Sequence, residues 1–420
     1  MIAALTLASV LVAQGNLQLD DIQHRAVRFF WEQSNPETGI SKDRADNHKP
    51  VDDHTIGSCA SVGFALPAYI IGVERHWLPR KDALERTKVT LRHLNTLWPN
   101  EHGWLYHFVD WKTGARQWNC EASSIDTSIC LAGVIQAKEY WKDSEVTTEA
   151  DKFAKRIDWK WMLTDGGNKP DETTLSMGWK PEDGFIDARW SSFCELNMIY
   201  IQAYGIDPTI RTDGWGKIAR GVFTDRGHTY LVGGPLFMHE MSNSFYDFSE
   251  MRDPQGFNYW VDTKESALQH RAYAIDNPNH HKGYDKDFWG LSACDTPKGY
   301  MALGAWPDFH DNGTITPTSA LAAMPYTPAE SKSMLAHLLK DYGQYYGKYG
   351  FPNGMCPDEN WYDSDVIGID LGMMLLGVED YRTGLPWKLS MRSPWIKRGY
   401  QRIGFHKAPG SNGGPLQVKE

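Results

Sequence analysis

The sequence predicts an all-α protein whose helices pair into a toroid, with an inner ring of six helices surrounded by an outer ring of six. Apolar residues recur at helical spacing along most of the 420 residues. The segments with this spacing, about a dozen of them, often follow one another in pairs with short connections. They share no fixed period, so a solenoid of repeats is not predicted. A less regular array of helices is the alternative.

The predicted helices begin at capping residues or at proline. Asp20 or Asp21 can cap the first helix, which runs to Gln33. Pro79 opens a helix that ends near Trp98. Ser123 or Ser124 can cap a helix that runs to Trp141. The other helices are predicted at residues 58–73, 146–163, 195–205, 263–276, 317–324, 328–345, 367–380 and 393–403.

Long loops rich in Trp, Tyr, Gly and Asp separate these helices, at residues 101–119, 174–190, 229–260 and 283–314. Short β segments are predicted at residues 103–109 and 229–232, where they would decorate the rim of the toroid. Loops gathered at one end of a rigid scaffold commonly carry the functional site.

The N-terminal residues 1–16 include a short apolar run that is typical of a secretory signal, although no Lys or Arg precedes it. The run is too short to span a bilayer as a mature helix. A first core helix is the alternative interpretation. We therefore predict a signal peptide at residues 1–16 and a single catalytic domain at residues 17–420. The mature chain is expected to have no membrane span and to be periplasmic or secreted.

The composition of the chain excludes some classes of function and favours others. The net charge is −10 and no basic run occurs, which argues against nucleic acid as a partner. The chain carries 18 Trp, 19 Tyr and 16 Phe, a content that favours ring-stacking platforms as well as an aromatic core. None of the six cysteines forms a Cys-x-x-Cys pair, and neither a Walker, a Rossmann nor a His-Glu-x-x-His motif is present. Neither a metal nor a cofactor is therefore predicted.

Three carboxyl groups are the candidate catalytic residues. Glu195 is the only acid in an apolar and aromatic stretch, where desolvation would raise its pKa toward the value that a general acid needs. A buried ion pair with an Arg is the structural alternative. Asp126 and Asp370 each stand near the start of a predicted helix, where the helix dipole alone could explain an acid. Two carboxyl groups are the usual requirement of glycoside hydrolysis.

Candidate substrate-binding residues combine rings with hydrogen-bonding groups, a mixture that suits sugar hydroxyls and pyranose faces. Most of them lie in or beside the predicted loops. They are Arg44, Trp104, Glu121, Trp190, His239, Asp247, Trp289 and Asp295.

Several segments, taken in order, resemble a bacterial glucoamylase-like family that includes endo-β-1,2-glucanases. The resemblance covers the chain from about Leu19 to Phe405. Among the segments that carry it are Phe29-Phe30-Trp31-Glu32, Ser124-Ile125-Asp126-Thr127, Glu195 in its aromatic stretch, Trp289-Gly290-Leu291-Ser292-Ala293-Cys294-Asp295 and Gly368-Ile369-Asp370.

This resemblance implies an (α/α)6 toroid with an acidic central cleft that cleaves an uncharged glucan, with β-1,2-glucan as the expected substrate. Glu195 would donate a proton, Asp126 would be its counterpart, and Asp370 would hold a hydroxyl or tune the pair. The alternatives are a transglycosylase or phosphorylase, a polysaccharide lyase, and a glycan-binding protein without activity. An oligo- or polysaccharide is the only partner predicted.

Overall fold

A computed structural model describes residues 2–305, 309–408, 410 and 416, and it describes side chains from residue 15 onward. Among the described residues, no helix is both long enough and apolar enough to cross a bilayer. The helices in this part of the chain are α1 (Ile2–Glu32), α2 (Cys59–Glu74), α3 (Arg80–Thr96), α4 (Ser124–Trp141), α5 (Ser144–Arg156), α6 (Trp159–Leu163), α7 (Asn197–Ile206), α8 (Gly214–Lys217), α9 (Phe237–Phe245), α10 (Tyr259–Asp276), α11 (Pro317–Ala322), α12 (Pro328–Asp341), α13 (Gly368–Arg382), α14 (Leu385–Ser390) and α15 (Pro394–Ile403).

The helices form the predicted (α/α)6 toroid. The inner ring consists of α2, α4, α7, α9, α11 and α13, which are buried almost along their whole length. The outer helices α1, α3, α5, α15, α10 and α12 pack around them. Inner helices such as α2 are apolar or small on every side, as expected for helices without a solvent face. The prediction of an all-α toroid is therefore confirmed.

Helices α2 and α4 approach each other backbone to backbone because each carries a glycine at the contact. A methyl group added at Gly133 would lie 1.9 Å from the carbonyl oxygen of Gly63. One added at Gly63 would lie 2.5 Å from the carbonyl oxygen of Ile129. No side chain could move to relieve these contacts, because the opposing atoms are backbone atoms. The two glycines therefore fix the spacing of the inner ring beside Asp126.

Short antiparallel strands lie between the helices, and the predicted β segments at residues 103–109 and 229–232 are among them. They are β1 (Arg44–Asp46), β2 (Ile56–Ser58), β3 (Asn100–Glu101), β4 (Trp104–Leu105), β5 (Phe108–Asp110), β6 (Ala122–Ser123), β7 (Gly178–Lys180), β8 (Gly184–Phe185), β9 (Val222–Asp225), β10 (His228–Leu231), β11 (Met251–Arg252), β12 (Ala293–Thr296), β13 (Gly299–Ala302), β14 (Met355–Cys356), β15 (Trp361–Tyr362), β16 (Asp365–Ile367) and β17 (His406–Lys407).

Three of these strands lead directly into inner helices. β2 precedes α2, β6 precedes α4 and β16 precedes α13. β2 pairs with β5, so that Ser58 faces Phe108, and β1 pairs with β16, so that Arg44 faces Ile367. The pairing therefore gathers residues from distant parts of the sequence at the N-terminal ends of the inner helices.

Two predicted boundaries are wrong for reasons visible in the side chains. Asp20 and Asp21 do not cap a helix, because α1 is continuous through them and they pair instead with Arg382 and Arg25 on the surface. The predicted helix at 146–163 divides into α5 and α6, because the carboxyl group of Asp158 accepts the backbone N–H of Trp161 and starts a new helix. The predicted secretory signal stays a prediction, since the side chains of residues 1–14 lie outside the described ones.

The predicted loop at residues 229–260 contains an inner helix, α9. Its sequence includes His, Glu, Ser and Asn, so it lacks the apolar periodicity from which a buried helix would be predicted. These polar groups are buried but hydrogen-bonded: the amide of Asn243 donates to the carbonyl oxygen of His239 at 2.8 Å, and Ser244 donates to that of Glu240 at 3.0 Å. Hydrogen bonds to the backbone of α9 therefore satisfy the buried side-chain donors of Asn243 and Ser244, so this inner helix does not need the apolar sequence pattern on which the prediction relied.

Substituting Gly133→Ala should destabilise the protein by about 1–3 kcal/mol, because the new methyl group would force α2 and α4 apart. Thermal unfolding measures the change as a lower Tm. Gly216→Ala is the matched control, since a methyl group there meets nothing within 4 Å. Equal Tm values for Gly133→Ala and Gly216→Ala would contradict the close contact.

Candidate functional site

A pocket of about 450 Å³ opens at the end of the toroid where inner helices begin. Residues from β1, β5 and the first turns of α4 and α13 form its wall. It brings together charged and titratable groups with exposed rings, among them Asp43, Arg44, His107, Asp126, Trp118 and Tyr300. The pocket is therefore concave, polar at its base and aromatic at its rim, a combination suited to a small polar ligand.

Glu195 lies in the turn before α7 rather than inside the helix as predicted. Burial raises its pKa from 4.5 to about 7, and the negative charge of Asp126 acts in the same direction. No described Arg, Lys or His forms an ion pair with Glu195, which removes the structural alternative of a buried pair. Its backbone carbonyl accepts a hydrogen bond from Ser242 Oγ at 2.6 Å, which ties the turn to α9. The carboxyl group can therefore hold a proton near neutral pH.

Asp126 lies in the first turn of α4, and each of its oxygens faces a donor. Ser123, the residue that caps this helix, donates its hydroxyl to Asp126 Oδ2 at 2.5 Å. His107 Nε2 lies 3.3 Å from Asp126 Oδ1, and His107 Nδ1 lies 3.1 Å from Glu121 Oε1. The three side chains form a chain of contacts in which the imidazole links two acids. This arrangement suits a carboxylate that acts as an acceptor.

The imidazole of His107 is electrostatically coupled to both neighbouring acids. Burial opposes its protonation, but the charges of Asp126 and Glu121 outweigh burial and raise the pKa of His107. In turn, the hydrogen bond from His107 lowers the pKa of Glu121. His107 is therefore more basic than an ordinary imidazole, and it lies in the pocket wall in contact with Asp126.

Asp370 lies in the first turn of α13 and is 5% exposed. Burial raises its pKa to about 7, and the negative charges of Asp43 and Asp295 add to the effect. Asn353 Nδ2 donates to Asp370 Oδ2 at 2.6 Å and partly opposes the shift. Asp370 is therefore a second carboxyl group that can carry a proton near neutral pH.

Arg44 forms ion pairs with several acids in and beside the pocket. Its guanidinium lies 2.5 Å from Asp295 Oδ2, 3.2 Å from Asp43 Oδ2 and 3.9 Å from Asp365 Oδ2. Next to it, burial and the neighbouring acids Asp295 and Asp365 raise the pKa of Asp363 to about 7. The guanidinium is thus already satisfied by acids, so it can orient them and donate to a neutral ligand at the same time.

Two groups in the site have the donor types of a metal centre, and their ligand atoms lie within 4.8 Å of one another. One is His107, Glu121 and Asp126, and the other is Asp295, Asp363 and Asp365. In the first group His107 contacts both acids, and in the second group Asp295 is paired with Arg44. The contacts of the first group are between its own side chains, whereas Asp363 Oδ2 in the second group is buried without a hydrogen-bond partner among the described residues.

Residues 187–394 match the family model described as "Putative glucoamylase". A putative glucoamylase structure from Bacteroides uniformis is 27% identical, has a TM-score of 0.85, and is matched over 94% of this chain and 98% of that one. An endo-β-1,2-glucanase structure from Chitinophaga pinensis is 26% identical, with a TM-score of 0.84 and coverage of 94% and 99%. An exo β-1,2-glucooligosaccharide sophorohydrolase from Parabacteroides distasonis is 28% identical over 92% of this chain.

The chain is similar to the glucoamylase-like family over residues 187–394, and to the relatives above over nearly its whole length. The predicted resemblance is confirmed by the family model and by relatives that match the chain nearly from end to end. The chain spans 57% of the length of the curated sophorohydrolase that it matches. The family thus accounts for the toroid, while the assignment of individual site residues depends on the geometry described above.

Three of the predicted substrate-binding residues lie at the site. Arg44 lines the pocket, Asp295 pairs with it, and Glu121 contacts His107. A fourth, Trp190, lies close by, but it is only 5% exposed and its indole N–H donates to Ser124 Oγ at 2.7 Å. Trp190 therefore supports the start of α4 instead of offering a face to a sugar.

The predicted roles of Trp104 and Trp289 are wrong, because both side chains are fully buried. Trp104 packs edge-on against Trp159, and its indole N–H donates to the backbone carbonyl of Asp158 at 3.0 Å. Trp289 belongs to the hydrophobic core. Neither ring has a face open to a ligand, so both belong to the aromatic core that the composition also allowed.

The predicted roles of His239 and Asp247 are also not supported. His239 is buried and pairs with Asp262, Nδ1 to Oδ2 at 2.7 Å. Asp247 follows the C-terminal end of α9, at the end of the toroid opposite to the pocket. Its backbone carbonyl accepts a hydrogen bond from Tyr400, and its side chain accepts the N–H of Ser249. His239 and Asp247 are therefore both held by contacts within the protein.

The sequence interpretation missed Asp43, His107, Trp118 and Tyr300 as site residues. Tyr300 lies opposite Asp295 in the β12–β13 hairpin, and His107 directly precedes β5. The sequence contains little indication of them, because each is a single polar or aromatic residue in a loop that contains many polar and aromatic residues. Glu240, which is buried in α9 and accepts a hydrogen bond from Ser319 Oγ at 3.0 Å, does not line this pocket.

The raised pKa of Glu195 predicts a pH-dependent effect of Glu195→Gln on stability. Between the unfolded value near 4.5 and the folded value near 7, the folded protein holds a proton that the unfolded chain releases. Stability is therefore lost as the pH rises through this window, and glutamine removes the loss. The Tm difference between Glu195→Gln and wild type should be more positive near pH 8 than near pH 5, as measured by calorimetry.

Glu37→Gln is the control for this experiment, because Glu37 is exposed on a surface turn. Its Tm difference from wild type should be the same at both pH values. A Tm difference for Glu195→Gln that does not change with pH would show that Glu195 titrates at the same pH in the folded and unfolded states.

Proposed function

We propose that this protein is a glycoside hydrolase that cleaves β-1,2-glucan by carboxyl general acid catalysis. The observation that carries the proposal is Glu195, a carboxyl group without an ion-pair partner among the described residues, whose pKa is raised to about 7 by burial and by the charge of the hydrogen-bonded Asp126. Environments that differ in this way favour a proton donor and an acceptor in one site. The names of the relatives, an endo-β-1,2-glucanase and a β-1,2-glucooligosaccharide sophorohydrolase, support this substrate class.

In the proposed reaction, Glu195 gives its proton to the glycosidic oxygen as the bond from that oxygen to the anomeric carbon breaks. Water attacks the anomeric carbon and loses a proton to Asp126, either directly or through a substrate hydroxyl. Hydrolysis thus consumes one water molecule and leaves Glu195 ionised and Asp126 protonated, and solvent exchange restores both. Ser123 and His107 fix the orientation of Asp126 during the transfer.

The other side of the pocket suits the hydroxyl groups of a neutral sugar. Asp370 and Asp43 can accept hydroxyl protons, and Arg44 can donate to hydroxyl oxygens while it stays paired with Asp295. A uronate, as in a polysaccharide lyase, or a phosphate, as in a phosphorylase, would meet a surplus of negative charge here. The charge of this pocket therefore favours hydrolysis of an uncharged glucan over these alternatives.

The predicted secretory signal leads us to propose a periplasmic or secreted location, which would place the enzyme where polymeric glucan is available. This proposal depends on the apolar run in residues 1–16. Fractionation of cells that produce the full chain, followed by N-terminal sequencing of the mature protein, tests it.

Glu195→Gln should lower kcat on β-1,2-glucan about a thousandfold, because glutamine keeps the shape of the side chain but has no proton to give. Reducing ends released from the glucan measure the rate, and calorimetric titration with β-1,2-gluco-oligosaccharides should show a Kd within about threefold of wild type. Glu37→Gln, on the surface, should keep the wild-type rate.

Wild-type rates for Glu195→Gln would overturn the assignment of the proton donor. A wild-type protein that binds glucan without producing new reducing ends would overturn hydrolysis and favour a glycan-binding protein. Products that require phosphate or that carry an unsaturated bond, detected by mass spectrometry and absorbance, would identify a phosphorylase or a lyase instead.

A further inference from the structure

Trp118 is an exposed ring in a backbone conformation that bulky residues rarely adopt. Its side chain is 66% exposed, although it lies at the rim of the pocket. Its φ is +55°, and the φ of Asn119 is +48°. The N–H of Cys120 donates to the carbonyl of Gln117 at 3.0 Å and closes a β-turn around the two residues. Turns with two left-handed central residues normally carry Asn and Gly there, not Trp.

The turn is held firmly in place. The guanidinium of Arg116 donates to the carbonyl of Cys120 at 2.7 Å and forms two hydrogen bonds with Glu182, at 2.7 and 2.9 Å. The N–H of Gln117 donates to the carbonyl of Phe108 at 3.0 Å and attaches the turn to β5. The indole is thus presented to solvent from a fixed backbone, an arrangement that folding alone does not require.

The position of the ring connects it to the catalytic acids. Trp118 contacts Phe108 edge to face, with ring centroids 5.0 Å apart. Phe108 stacks on His107 at 3.7 Å, and His107 contacts Asp126. Of the large apolar side chains that are exposed in the described part of the chain, Trp118 and Tyr300 are the two that line this pocket. Tyr300 comes from the β12–β13 hairpin, a different segment of the pocket wall from the turn that carries Trp118.

We propose that Trp118 is the stacking platform of a sugar subsite beyond the catalytic acids, where it binds one glucose ring of the glucan by its apolar face. The inference rests on the proposed function and extends it, because it makes Trp118 a determinant of substrate length. Aromatic rings bind pyranose faces through apolar contact without a charged partner, which fits an exposed indole outside the acidic base. A glucan that reaches from Tyr300 past the acids to Trp118 contacts more of the pocket and its rim than a short oligosaccharide does.

Trp118→Ala should raise the KM for β-1,2-glucan and long β-1,2-gluco-oligosaccharides about tenfold, while kcat changes less than about twofold. The shortest oligosaccharide that wild type cleaves should show a smaller change, because it need not reach the platform. Trp118→Phe keeps an aromatic face and should restore most of the affinity. Rates measured over a series of chain lengths give these values.

Asn119→Gly is the matched control, because it removes a left-handed side chain from the same turn and leaves the indole. It should keep the wild-type KM and the same or a higher Tm. An unchanged KM for Trp118→Ala on long glucan, or an equal rise in KM for Trp118→Ala and Trp118→Phe, would overturn the subsite. A wild-type protein that releases no sugar from β-1,2-glucan would instead overturn the proposed function.

Discussion

The withdrawal of carboxyl groups from water at one end of the inner ring is the constraint on which the site depends. Neither Glu195 nor Asp370 forms an ion pair with a described cation, and burial raises the pKa of each to about 7. A buried ionised carboxylate is costly, so these groups retain protons at a pH where exposed acids have lost them. The toroid creates this environment because its inner helices are packed closely enough to exclude solvent.

The acids at the N-terminal ends of the inner helices differ in their local contacts. The inner helices α2, α4 and α13 start at the pocket, and their N-terminal ends carry partial positive charge. Asp126 lies in the first turn of α4, where Ser123 and His107 add hydrogen-bonding partners. Glu195 lies in the turn before α7, and no described cation forms an ion pair with it. The same end of the fold therefore holds acids of two kinds, and the difference comes from their local contacts.

Much of this arrangement could be predicted from sequence. Apolar periodicity identified most of the helices, and the isolation of Glu195 in an aromatic stretch indicated a desolvated acid. The polar helix α9 was missed because its polar side chains bond to one another inside the toroid. Trp104 and Trp289 were predicted at the site because burial of a Trp cannot be inferred from its neighbours in sequence. The contacts of His107 and Arg44 could not be predicted either, because they arise when β1 pairs with β16 and β2 with β5.

The most direct test of the account is a titration of the Glu195 carboxyl group itself in the folded protein. The difference between the carboxyl infrared bands of wild type and Glu195→Gln, recorded as a function of pH, isolates this group. Glu195 should lose its proton at about pH 7. A midpoint at or below the ordinary value of 4.5 would contradict it, because the proposed donor would then have no proton to give at neutral pH.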